Sequence, residues 1–328
     1  MRREESNKHR FKLLMAATLI VVVQLSIPMT VLAHKSRSGN FYMNYTDFIS
    51  ADKKILLDRM YNSNSDFNGV FGDKWGSPLD AYIGITGDGT AVIHANGSGR
   101  SEVFRSMTVT EASIDKSIDM ILVAAKKAGD FQKNIKAITN EMRKNDKFRE
   151  LLWTMYARQK LLPIIQLPLG SELKSVEFFF GEQKLIRTAS GYTQKSWLDT
   201  TTFNLAGQVM SFSRPEKSNN SMKENMRFYR GKNGTLLAVS KADGGEMLFL
   251  SRNSDGKITK IIDMRGKTQC EYVYEHSRLM RSKDKANNIY AYDYDDHGRM
   301  VNIHYQDGKK MVIKYDRNGS MLSEEYIQ

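Results

Sequence analysis

Over about the last hundred residues, glycine-centred turn signals recur at a spacing of about ten to eleven residues, and this beat limits what the chain can fold into. It runs through Asn233-Gly234, Gly244-Gly245, Asp255-Gly256, Arg265-Gly266, Asp296-His297-Gly298, Asp307-Gly308 and Asn318-Gly319. Between Gly266 and Gly298 it continues without glycine, at His276-Ser277 and Asn287-Asn288. Each interval alternates apolar or aromatic residues with polar ones, as in Tyr290-Ala291-Tyr292-Asp293-Tyr294, which is a strand pattern. Asn-Gly and Asp-Gly supply the positive φ of tight hairpin turns, so each repeat reads as a strand plus a turn. A lone hairpin has no partner for its apolar face, whereas a stacked array buries it against neighbours.

Two repeats share one pattern, Tyr-Asp-x-x-Gly: Tyr294, Asp295 and Gly298, then Tyr315, Asp316 and Gly319. A partial copy lies at Ile262-Asp263-Met264-Arg265-Gly266. This resembles the YD repeat of the bacterial Rhs family. A second resemblance lies near the start, where Arg59, Tyr61, Asn62 and Ser63 precede Phe71, Gly72 and Trp75, similar to the opening of an Rhs core. Here Gly76 follows Trp75 and Lys74 stands where the family pattern has glycine, which puts the local turn geometry in doubt. The fold expected is mainly β: stacked hairpins of the YD-repeat type in an open or partly closed Rhs-like sheet, with a small three-helix insertion.

The helices come from a change of period. From Glu111 to Leu162 the apolar residues fall at helical spacing: Ile114, Ile118, Ile121, Leu122 and Ala125, then Phe131, Ile135, Ile138 and Met142, then Phe148, Leu151, Leu152, Met155 and Tyr156. Thr110, Asp130 and Asp146 are the expected N-caps, Gly129 a C-cap and Pro163 a stop. Strands are expected at 54–61, 81–85, 90–94, 100–104, 175–180, 185–188, 196–202 and 209–213, with a loop or hinge at 214–225. The chain therefore divides into a signal peptide at 1–33, an N-terminal Rhs-like β segment at 34–107 and the helical insertion at 108–168. A β segment with diverged repeats follows at 169–226, and the YD-repeat ladder at 227–328.

Residues 1–33 have a basic start (Arg2, Arg3, Lys8, Arg10, Lys12), an apolar run from Leu13 to Leu25, and Val31-Leu32-Ala33 before an expected cut. This is the layout of a Sec-type signal peptide and implies a periplasmic or secreted protein. The rival layout is an uncleaved anchor, since Leu13 to Ala33 matches the about 20 residues that span a bilayer; membrane contact would then come only through this segment. The formal net charge is +12, and residues 1–33 hold five basic and two acidic residues, so the remainder carries +9. That balance suits an acidic partner, either a protein or an acidic envelope glycan. An exported chain without a recognisable nucleic-acid module gives no reason to expect nucleic acid. Cys270 is the single cysteine, which excludes an intrachain disulfide, and its strand setting reads as a small buried residue.

Chemistry-bearing constellations are missing. There is no Gly-x-Ser-x-Gly elbow, His-Glu-x-x-His helix or phosphate-cradling loop, so no catalytic residue, cofactor or metal is expected. His94, His276, His297 and His304 lack ligand spacing and read as surface residues. Asp295 and Asp316 precede turns, where a carboxylate caps backbone amides, and the tyrosines read as rungs of a packed ladder.

Rhs proteins enclose a C-terminal toxin in a hollow β shell and serve interbacterial competition. This chain has no Asp-Pro-x-Gly-Leu closing segment and ends inside a repeat, so the expectation is a short form without a toxin domain. The resulting reading is an exported binding module without catalysis, presenting a sheet to an envelope partner or to a toxin or secretion component. The alternatives are an envelope hydrolase using ladder carboxylates and a toxin-neutralising shell.

Overall fold

Short runs with every second side chain buried form strands, and eighteen of them join edge to edge in chain order. The computed structural model describes residues 32–35, 39–97, 99–131, 134–177, 183–196, 199–215 and 222–327. Residues 1–31 of the expected leader, and residues 178–180 of the expected strand 175–180, lie outside the described residues. The large sheet begins with β7 (Tyr82–Ile85), β8 (Ala91–His94) and β9 (Ser101–Arg105), which continues onto β10 (Glu172–Ser175). From there each strand pairs antiparallel with the next as far as β24 (Met321–Ile327).

The sheet is mainly β architecture of the expected kind, and its two end strands do not close it. It closes in part by another route. The β7 edge meets the turn between β13 (Thr200–Asn204) and β14 (Val209–Pro215): the Ile83 N–H donates to Gly207 O at 2.8 Å, and the Val209 N–H to Ala81 O at 3.2 Å. Gly207 is required there, because a Cβ would stand 2.3 Å from Ile83 O.

The repeat turns share one hydrogen-bond pattern. The Asp295 N–H donates to Arg299 O and the Gly298 N–H returns to Asp295 O, both at 2.9 Å, with Gly298 at φ 70°. The same exchange recurs at Asn253, Asp263, Asp284, Tyr305 and Asp316. These are three-residue loops ending in a left-handed residue, with the register shifting beside them, as between Asp293 and Tyr294. The expected Asn-Gly and Asp-Gly turns thus place positive φ on the glycine alone; the residue before it stays in the ordinary region. Where glycine is missing the beat holds, with His276 at φ 55° and Asn287 at φ 69°.

Three helices interrupt the sheet between β9 and β10: α1 (Glu111–Ala128), α2 (Ile135–Lys144) and α3 (Asp146–Arg158). Their apolar stripes meet in one cluster that includes Ile118, Ile121, Met142, Trp153 and Tyr156. Thr110 caps α1 reciprocally with Ser113, and Gly129 ends it. Two expected caps are corrected. Asn134, not Asp130, precedes α2, and the Asp130 carboxylate accepts from the Tyr156 hydroxyl at 3.0 Å. Asn145 caps α3, which leaves Asp146 to pair with Arg105 and Arg149. α3 lies directly on the sheet: a Cβ at Gly84 would sit 1.5 Å from Glu150 Oε1, and one at Gly87 would sit 2.5 Å from Trp153.

Strand boundaries also differ from the sequence reading. An unexpected strand, β12 (Gly191–Lys195), precedes β13 (Thr200–Asn204), which runs two residues past the expected end at 202; residues 197–198 of the expected strand 196–202 lie outside the described residues. At the two ends of the expected loop 214–225 the chain is strand, because β14 runs through Pro215 and β15 starts at Met222; residues 216–221 lie outside the described residues.

The N-terminal segment forms its own small sheet, in the order β1 (Leu32–Lys35), β2 (Phe41–Ile49), β3 (Leu56–Asn62) and β6 (Trp75–Gly76). Alternate side chains of β2 and β3 are buried, Phe41, Met43, Tyr45, Leu57, Arg59 and Tyr61 among them. They pack on the inner face of the late strands, through contacts described next.

Candidate functional site

The two sequence motifs, more than two hundred residues apart, meet in the interior. In the ladder motif each member has a backbone duty. Asp295 Oδ1 accepts from the N–H groups of His297 and Arg299, and Asp316 Oδ1 from those of Asn318 and Ser320. Burial opposes the Asp295 charge, but the Arg299 N–H and guanidinium outweigh it and hold the carboxyl below the usual range. The tyrosine hydroxyls reach back one hairpin: Tyr294 donates to Leu279 O at 2.7 Å, Tyr315 to Met300 O at 2.8 Å and Tyr274 to Ile258 O at 2.7 Å. Gly298 and Gly319 hold the left-handed turn position.

Arg59 is fully buried at the centre of the contact between the small sheet and the ladder. Its Nε donates to Asp47 Oδ2 at 2.6 Å and its Nη2 to Ser282 Oγ and Tyr292 OH. The guanidinium lies 4.4 Å from the Tyr45 ring centre and 4.6 Å from that of Trp75, so aromatic faces replace part of its lost hydration. Burial works against the charge of Arg59, but Asp47, Tyr292 and Tyr272 keep its pKa well above the ordinary value. Tyr272 also donates to Asp47 Oδ2. The buried Cys270 thiol, pushed up by burial, contacts Asp47 O.

The other opening residues complete the same contact. Trp75 Nε1 donates to the Tyr294 hydroxyl at 3.3 Å, joining the two motifs directly. Tyr61 OH accepts the Met300 N–H at 2.8 Å, and the Phe71 ring lies 4.9 Å from Tyr272. Asn62 and Ser63 tie the small sheet to itself, through Asn40 and through the Phe41 N–H. Gly72 lets Ser277 O approach within 2.4 Å of where a Cβ would stand. At the doubtful position Lys74 adopts φ 64°, the conformation a glycine would favour, and its Nζ donates to Ser65 O. The motif's turn survives the substitution.

Elsewhere, a cleft of about 590 Å³ opens between residues of the 67–81 segment, β7, α3 and the early ladder. Its ladder wall carries Arg230 and Arg252, each one residue before a turn, the place that tyrosine takes later. They do the tyrosine's work: Arg230 Nε donates to Val209 O, and Arg252 Nη2 to Leu236 O. Facing them is Asp80, which lines the cleft and is pushed up to about 7 by burial against the opposing pull of Val70 N–H, Arg252, Lys257 and Arg230. Its Oδ1 accepts the Val70 N–H at 3.0 Å, while its enclosed Oδ2 has no partner among the described residues. Sequence reasoning missed this site, since its residues share no motif.

His94 is a correction. It is largely buried, stacks on Tyr82 with ring centres 4.4 Å apart, and contacts Glu150 Oε2 at 2.7 Å. His276 and His297 are exposed as expected, and His304 pairs with Asp293 at the surface.

Residues 180–325 match the Teneurin YD-shell family, and residues 36–104 match a domain of unknown function, DUF6531. The two matches support an Rhs/YD-repeat protein. Two solved structures are similar to this YD shell over most of its length. One is a Photorhabdus luminescens Tc holotoxin pore, at 11% identity and TM-score 0.32, covering 90% of this chain and 14% of that one. The other is a TcdB2-TccC3-TEV crystal structure, at 10% identity and TM-score 0.30, covering 95% and 13%. The chain thus spans a small part of the length of either. No curated protein matches it.

Proposed function

We propose that this YD shell is an exported, non-catalytic interaction module whose curved sheet holds a protein partner. The observation that carries this reading is the inner face of the late ladder, which already holds the small N-terminal sheet and the turns that follow it, residues 39–81, through Arg59, Trp75 and their aromatic neighbours. The ladder carboxylates favour a scaffold over a hydrolase, because Asp295 and Asp316 are occupied by turn amides. The partner is a toxin or secretion component, or another protein of the cell envelope, and the basic surface favours an acidic one.

Affinity capture of the chain from its own cell envelope, with a salt series, tests the reading. A stoichiometric protein that survives high salt is the expected result. Recovery of acidic glycan alone, released as salt rises, would overturn it. Sequencing the N-terminus of the captured chain gives its start, expected at His34. If Asp295→Asn and Asp316→Asn abolished a measurable turnover without loss of fold, the hydrolase reading would replace this one.

A further inference from the structure

The cleft has three features that point to a ligand. The first is charge: Arg158, Arg230 and Arg252 line it against the single acid Asp80. The second is a pair of enclosed polar atoms. Tyr192 lines the cleft at 1% exposure and its hydroxyl, like Asp80 Oδ2, has no hydrogen-bond partner among the described residues. Such atoms carry a desolvation cost until something bonds them.

The third feature is an unpaired strand edge. Thr86 bonds Thr90 across the β7–β8 hairpin, so antiparallel alternation turns the backbone groups of Ile83 and Ile85 away from β8. Ile83 donates to Gly207 O, where the 204–208 turn covers the edge. One step further the turn no longer reaches, and the N–H and C=O of Ile85 have no partner among the described residues. Gly84 and Ile85 line the cleft at that point.

We propose that the cleft binds a short extended acidic peptide that adds to the β7 edge at Ile85. Backbone pairing with the strand supplies orientation, and an acidic side chain faces the arginines. The peptide's donors reach Asp80 and Tyr192. An acidic sugar would satisfy the arginines and the hydroxyl but would leave the strand edge unpaired. The inference rests on the interaction-module reading and assigns it a specific contact.

The probe is a fluorescein-labelled hexapeptide of alternating valine and glutamate, titrated against the purified chain by anisotropy. Saturable binding is expected, weakened at least tenfold when alternate peptide nitrogens are methylated or glutamate is replaced by lysine. Arg158→Gln and Tyr192→Phe should each weaken it severalfold, and Lys260→Gln on an exposed strand face should leave it unchanged. No saturable binding at millimolar peptide overturns the proposal, as does equal binding of the methylated peptide. Saturable binding of a labelled glucuronate oligosaccharide, where the peptide does not bind, assigns the cleft to a glycan and overturns it too. If the envelope partner is still captured by Arg158→Gln and Tyr192→Phe at wild-type yield, the module stands and the cleft is not its contact.

Discussion

Burial of Asp80 reverses the usual effect of a carboxylate on stability. Its folded pKa of about 7 lies above the unfolded value of about 3.9, so the folded chain keeps a proton that the unfolded chain releases. Its contribution is therefore full below about pH 3.9 and is lost as pH rises to about 7. Asp80→Asn keeps the acceptor for Val70 N–H and removes the titration. Melting temperatures measured across this range should fall less steeply with pH in the variant than in the parent, and parallel profiles would show that Asp80 is not enclosed. Asp263 and Asp295 act in the opposite sense. Their lowered pKa values stabilise the fold above the unfolded carboxylate range, and that contribution is lost on acidification. Those two were readable in sequence because their partners lie two and four residues away. Asp80 was not, because its environment comes from Arg230, Arg252 and Lys257.

At the scale of the element, the three-residue turn explains why the repeat tolerates so much change. It needs an acceptor at its first position and a left-handed residue at its fourth, and little else. Gly298→Ala places a Cβ in the left-handed region and should cost about 1–2 kcal/mol in urea unfolding. Asn287→Gly should act in reverse, gaining up to about 0.5 kcal/mol, since asparagine is only mildly penalised there. A zero effect at both sites would mean that the turns do not govern hairpin register. The period, the strand type and the helical stripes were legible because each rests on local spacing. The caps at Asn134 and Asn145, strand β12 and the replacement of tyrosine by Arg230 and Arg252 were not, because neighbouring elements chose between acceptable local alternatives.

For the whole molecule, the buried pair of Arg59 and Asp47 joins the small sheet to the ladder. Arg59→Met leaves the Asp47 carboxyl enclosed without its partner, which should cost about 3–5 kcal/mol. Limited proteolysis should then cut within residues 39–81 faster than in the parent. Replacing Asp47 by leucine as well should recover much of the loss, because two apolar groups need no partner. An Arg59→Met chain as stable and resistant as the parent would mean that the small sheet is held by its aromatic packing alone. The opening motif marked Arg59, Tyr61 and Trp75 as belonging together, and the alternating strand at 54–61 put Arg59 and Tyr61 on one side. Nothing in their spacing showed that Tyr292, Tyr294 and Met300 would be their partners. By itself the sequence determined the repeat, its turn chemistry, the helical insertion and the family, since all of these depend on residues near one another in the chain. Tertiary structure alone decided which rungs receive the N-terminal segment, where the β7 edge is left unpaired and which acid is enclosed. Those outcomes follow from how a twisted sheet curves back on its own beginning, and that curvature is a property of the assembled strands.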